Sequence, residues 1–145
     1  MDPDTEERVV ETIEDLVADL AFLAEKQSLP ESEFRTDRTE NYAVKRALQN
    51  VVNAVIDVAE VILVAEDDVE SLPDTNRETI ECLAEQTGIG ESIATELGRS
   101  AGFRNLLAHQ YGGDVDDAVV YDVLQTKLRI FREFVAVVRD VLAGE

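Results

Sequence analysis

Val44-Lys45-Arg46-Ala47-Leu48-Gln49-Asn50-Val51-Val52-Asn53-Ala54-Val55-Ile56-Asp57-Val58-Ala59-Glu60-Val61-Ile62 is the stretch that decides the fold. Its valines favour strands, but its spacing favours a helix. Val44, Leu48, Val51, Val55, Val58 and Ile62 follow one another by fours and threes, the seam of a helix packed lengthwise on another. Ala47, Val52, Ala54, Ile56, Ala59 and Leu63 carry apolar surface onto further faces, which marks a central helix. Length and period outweigh strand propensity, so a helix is predicted from about Asp37 to Ala65. One face stays polar: Arg46, Asn50, Asn53, Asp57 and Glu60. It is either a solvated stripe or the wall of a cleft or subunit interface.

The flanks read the same way. Asp2 is a candidate N-cap with Pro3 in the first helical position. Val9, Ile13, Leu16, Val17, Leu20 and Leu23 then predict a first helix over residues 3–26. Ser28-Leu29-Pro30 breaks it, and Phe34 anchors a short connecting turn. After the central helix comes a loop from Glu66 to Asp74. A short helix over Thr75–Thr87 follows, with Ile80, Leu83 and Ala84 as its apolar face. Gly88-Ile89-Gly90 is not a phosphate loop, since no strand precedes it and no lysine follows at the required spacing. The next helix starts near Glu91 and carries Ile93, Leu97 and Ala101. Its Gly98 and Gly102 permit either the close approach of another helix or a bend. A last helix begins near Asp116, with the stripe Val120, Leu124, Leu128, Phe131, Val135, Val138 and Leu142. Asp114, Asp116 and Asp117 stand favourably at its positive N-terminal end. The expectation is one all-α domain over residues 1–145, an antiparallel up-down bundle of four long helices plus a short one.

The chain of 145 residues carries 32 acidic and 13 basic residues, a formal net charge of −19. Lys26, Lys45 and Lys127 are its only lysines. With ordinary apolar content this is not a disordered chain. High intracellular salt would screen the self-repulsion, because the Debye length falls to about 3 Å at 1 M. A halophile's cytoplasm is therefore the expected setting, with an acidic surface for a basic partner as the alternative. A single cysteine, Cys82, excludes an intrachain disulfide framework. The start Met1-Asp2-Pro3-Asp4 lacks a signal core. No apolar run is expected to approach the roughly 20 residues of a membrane span, and a cytoplasmic location is expected.

Chemistry concentrates in Arg104-Asn105-Leu106-Leu107-Ala108-His109-Gln110-Tyr111, which holds the only histidine. Histidine exchanges protons near neutral pH, and arginine offers a fixed positive fork to a phosphate. Together they are a minimal kit for splitting a phosphodiester such as that of RNA without a metal. His109 serves as base toward the 2′-OH or as acid toward the leaving oxygen. Arg104 stabilises the phosphate, and Asn105 orients either group. Residues five apart on a helix lie about 140° out of phase, so the helix ends between Arg104 and His109 or long side chains converge. Cleavage wants both an acid and a base, so a symmetric dimer supplying two octets is expected. The pattern alone also fits a histidine that caps helix C-terminal carbonyls.

The octet resembles the signature of HEPN-domain proteins of the HepT toxin branch: an arginine, four residues, a histidine, one residue and a tyrosine. Other stretches agree in order: Tyr42 to Ile62, with Arg46-Ala47-Leu48-Gln49 and Asp57-Val58-Ala59; Ala101-Gly102-Phe103; and Val115-Asp116 followed by Val120-Tyr121. The similarity runs from about residue 37 to 138. It implies a homodimeric, metal-independent ribonuclease toxin without a cofactor, cutting an RNA such as tRNA or mRNA, with Arg104 and His109 as its catalytic pair. It also implies a partner, an MntA-type nucleotidyltransferase antitoxin that transfers AMP to Tyr111. A nucleotide there adds bulk and negative charge beside Arg104. The alternative is a non-catalytic HEPN module that binds a nucleotidyltransferase or a nucleotide. Arg46, Arg99 and Arg104 are expected to form a positive island in the acidic surface, with Asp57 as a helper.

Overall fold

The computed structural model describes residues 1–67, 75–87, 90–108 and 117–144. Every regular element among them is helical: α1 (Pro3–Lys26), α2 (Glu31–Thr36), α3 (Arg38–Asp67), α4 (Asn76–Thr87), α5 (Glu91–Ala108), α6 (Asp117–Thr126) and α7 (Leu128–Ala143). The all-α expectation holds, with more and shorter elements than four long helices and one short.

α3 is the axis, in contact with each of the other six helices. Its seam residues Val44, Leu48, Val51, Val55, Val58 and Ile62 are all buried. So are Ala47, Val52, Ile56, Ala59 and Leu63, whereas Ala54 is only partly covered. This burial on several faces is what a helix surrounded by neighbours requires. The expectation that no run approaches membrane-spanning character needs correction. α3 is long and apolar enough to cross a membrane by length and composition alone. Its seam here is occupied by α1, α4 and α5.

α1 begins as its sequence dictates. The Asp2 carboxylate accepts from the Thr5 backbone N–H at 2.8 Å and from the Thr5 hydroxyl at 3.0 Å, an N-cap with proline at the first turn. Val9, Ile13, Leu16, Leu20 and Leu23 are buried against the core, but Val17 is 37% exposed and leaves the predicted stripe. Phe34 is fully buried as expected. It sits on a six-residue helix rather than in a turn, because Pro30 supplies an extended entry and the chain winds at once. Its ring lies 5.7 Å from that of Tyr121, whose hydroxyl donates to the Leu29 carbonyl at 2.6 Å. Asp37 then caps α3 through the Glu40 N–H at 3.2 Å.

The single C-terminal helix expected from Asp116 is interrupted at Lys127. One local and one long-range interaction accompany the break. The Thr126 hydroxyl donates back to the Asp122 carbonyl at 2.8 Å, a bond that competes with the helical ladder. The Leu124 carbonyl accepts from the Gln27 side-chain amide at 2.9 Å, and Gln125 returns a bond to the Gln27 carbonyl at 2.7 Å. The predicted stripe from Val120 to Val138 is buried on both pieces, joined by Ile130 and Phe134, while Leu142 is only partly covered.

Candidate functional site

α5 delivers the octet. Ala94, Leu97 and Ala101 form its buried face, with Ala94 taking the covered position expected of Ile93. Gly98 lets α4 come close, since a Cβ there would lie 3.2 Å from Cγ of Arg77. A Cβ on Gly102 would meet nothing within 4 Å, so only the first glycine serves close approach. α5 is described as far as Ala108. Arg104 and Asn105 therefore belong to its last turns, with Arg104 one turn beyond Ser100. The side chains of Arg104 and Asn105, and the whole of His109 and Tyr111, lie outside the described residues, as do Asp114, Asp116 and Gly88-Ile89.

The chain resumes at Asp117, the first residue of α6, and its position is fixed by a polar cluster on the core. Lys45 Nζ lies 2.8 Å from the Asp117 carboxylate, with the lysine side chain 9% exposed. The Asn41 amide donates to the same carboxylate at 3.3 Å and to the Phe34 carbonyl at 3.2 Å. Asn41 and Lys45 are one turn apart on α3. The segment that carries His109 and Tyr111 is thus bounded by α5 on one side and by a charge pair to α3 on the other. A lysine inside a largely apolar helix was the available signal for this anchor.

The polar stripe of α3 is partly solvated and partly lines an open surface groove, with Arg46 outside it. Asn50, Asn53 and Asp57 line a groove with Thr12, Asp15 and Asp19 of α1, and Asp57 and Glu60 continue it beside Arg8. Burial, reinforced by the neighbouring Asp15, pushes the Asp19 carboxyl above its ordinary value. Asp57 stands in this groove, and no described contact joins it to the octet.

Of the expected positive island, Arg46 and Arg99 are described, and the Arg104 side chain is not. Arg46 donates to Gln49 at 3.4 Å, whereas Arg99 of α5 stands in a cluster around Glu96. The Glu96 carboxylate lies 2.9 Å from Lys127 Nζ and 3.4 Å from Arg129. The Lys127 hydrogen bond, opposed by slight desolvation and helped by the charges of Lys127, Arg129 and Arg99, holds the Glu96 carboxyl below its ordinary value. Lys127 and Arg129 contact this carboxylate, and Arg99, which adds to its field, lies on the same helix as Arg104.

Comparison with solved structures finds this fold in toxin–antitoxin assemblies. A tri-AMPylated Shewanella oneidensis HEPN toxin in complex with its MNT antitoxin superposes with a TM-score of 0.80 at 23% identity, covering 97% of this chain and 99% of that one. A mutant of the MntA-HpeT toxin–antitoxin matches with a TM-score of 0.79 at 23% identity over 91% of this chain and 98% of that one. A toxin–antitoxin with AMP-PNP gives 0.73 at 23% identity, with 94% and 98% covered. No curated protein sequence matches. The profile described as "Ribonuclease HepT-like" matches residues 7–138, from α1 into α7 and through the whole octet. The chain belongs to the HepT-like ribonuclease family.

Proposed function

We propose that this protein is the ribonuclease toxin of a toxin–antitoxin pair, acting in the cytoplasm as a homodimer and cutting RNA without a metal. The observation that carries this reading is the family match through the octet, together with the placement of Arg104 and Asn105 at the end of a helix pinned to the core. The ribose 2′-oxygen attacks the adjacent phosphorus while its proton passes to a base. The bond from phosphorus to the 5′-oxygen breaks, and that oxygen takes a proton from an acid. His109 fills one of these roles and the second subunit's octet supplies the other. Arg104 balances the charge that grows on the phosphate, and Asn105 orients it.

Neutralisation follows from the same octet. An MntA-like nucleotidyltransferase transfers AMP to the Tyr111 hydroxyl. The new phosphate stands two residues from His109 and competes for Arg104 with the RNA phosphate. Likeness to solved toxin–antitoxin complexes, one with a tri-AMPylated toxin, supports this partner. The test is His109→Ala: the variant is expected to fold, to lose RNA cleavage and to lose growth arrest. Full toxicity of the folded variant would sink the assignment. AMP on Tyr111 after co-expression with the nucleotidyltransferase, read by mass spectrometry and lost in Tyr111→Phe, tests the switch.

A further inference from the structure

One pocket on the described surface adjoins the octet. It lies between α5, α6 and α7, with a volume of about 190 Å³. That is smaller than the roughly 300–1,000 Å³ of sites that enclose a whole drug-sized ligand, and it suits a single flat ring system. Phe103, Val123, Ile130 and Phe131 form its apolar lining. Phe131 and Ile130 are buried beneath it, while Phe103 is only partly covered and offers accessible ring surface. The rim is polar and carries the cations Arg99 and Lys127 together with Ser100 and Glu96, the Glu96 carboxylate lying 2.9 Å from Lys127 Nζ. An apolar floor with cations at the mouth is complementary to an aromatic ring on an anionic backbone.

Helical register ties the pocket to the cleavage motif. Phe103 immediately precedes Arg104, and Ser100 lies four residues before it, an offset of about 40° around the helix and about 6 Å along it. The backbone of Arg104 therefore continues the face of α5 that carries Ser100.

We propose that the α5–α6–α7 pocket is a nucleobase subsite, taking the base of the RNA nucleotide next to the scissile phosphate, with Phe103 as its stacking surface and Arg99 and Lys127 on the flanking phosphates. It rests on the ribonuclease reading and adds to it a source of substrate preference. Base–aromatic stacking with cations along the backbone is how single strands are held by proteins. In an acidic protein it gives affinity that does not depend on broad phosphate neutralisation.

The experiment has two arms. In the first, the Val123 methyls of the full-length His109→Ala protein are followed by NMR during titration with the four nucleoside monophosphates, and with ribose 5-phosphate as a probe lacking a base. Saturable shifts with at least one nucleotide and none with ribose 5-phosphate support the subsite. Shifts with none, or equally with ribose 5-phosphate, overturn it. In the second arm, a short RNA is compared with versions carrying one abasic position on either side of the cut. The protein is expected to cut one abasic version roughly 5- to 150-fold more slowly. Val123→Phe, which fills the pocket, and Ser100→Trp, which covers it from the rim should the first variant misfold, are expected to cut that version and the intact RNA alike. Equal rates for all RNAs with the unaltered protein overturn the subsite. Nucleotide binding in the first arm with no cleavage of any RNA retains the pocket and overturns the ribonuclease reading instead.

Discussion

At the scale of single residues, the most consequential group outside the octet is Lys45. Its ammonium is almost fully buried and faces the Asp117 carboxylate at 2.8 Å. Removing one member of such a pair leaves the other unpaired in a poorly solvated place. Lys45→Met keeps the length of the stem and deletes the charge. It is expected to cost about 2–3 kcal/mol in urea unfolding, as for a charged hydrogen bond in a partly buried setting. Asp117 bounds the segment that carries His109 and Tyr111, so the same variant is expected to lose more activity than its stability loss accounts for. Retained full activity at saturating folded protein would show that the anchor is structural only. Asp19 behaves in the opposite sense. Burial raises its carboxyl pKa, so the native state holds that proton more tightly than the unfolded chain. Stability from this group is therefore greatest below its unfolded value near 3.8 and declines as pH rises toward its folded value. Asp19→Asn is expected to raise the melting temperature at neutral pH and to change it little well below pH 3.8. A neutral-pH melting temperature that falls would contradict this.

At the scale of elements, α1 and α3 were legible because their information is local. Asp2, Pro3 and a fixed apolar period specify one helix, and the seam from Val44 to Ile62 specifies the other. The break at Lys127 was not legible, since one interaction that accompanies it comes from a glutamine 97 residues away in sequence that takes the Leu124 carbonyl. The octet stood out as the sole histidine site, yet the pocket that includes Phe103 needs Val123 from α6, Ile130 from α7 and Lys127 from the junction between them. No spacing within α5 announces them. The two glycines of α5 show the same limit. Four-residue spacing treats them alike, but Gly98 faces Arg77 and Gly102 faces open space. Gly102→Ala is therefore expected to stabilise the chain by about 0.5–1 kcal/mol, the difference in helix propensity. Gly98→Ala must displace the Arg77 side chain by a few tenths of an ångström and is expected to gain less. Chemical denaturation of the two variants side by side checks the order, and a larger gain for Gly98→Ala would reverse the packing assignment.

At the scale of the whole molecule, charge sets the operating conditions. With 32 acids against 13 bases, most carboxylates have no cation to pair with. The resulting self-repulsion opposes the compact state. Between 0.1 M and 1 M salt the Debye length falls from about 10 Å to about 3 Å, so repulsion between neighbouring helices fades while the buried Lys45–Asp117 pair is little affected. If screening returns about 3 kcal/mol, the melting temperature rises by about 6–12 °C in a domain of this size. Cleavage is expected to follow a related course. A protein that binds RNA through many phosphate contacts loses affinity steeply with salt. Here the described cations near the octet are few, and the surface around them is repulsive to RNA at low salt. Adding KCl weakens both terms, leaving base stacking in the pocket and the rising folded fraction. Cleavage by this chain is therefore expected to hold or increase between 0.1 M and 1 M KCl. Parallel melting curves and initial cleavage rates across that series decide the matter, with sorbitol at matched osmolality separating screening from general solute exclusion. A flat melting temperature would remove repulsion as the dominant global term. A steep fall in rate beside a rising melting temperature would mean that RNA is held by phosphates rather than by its bases.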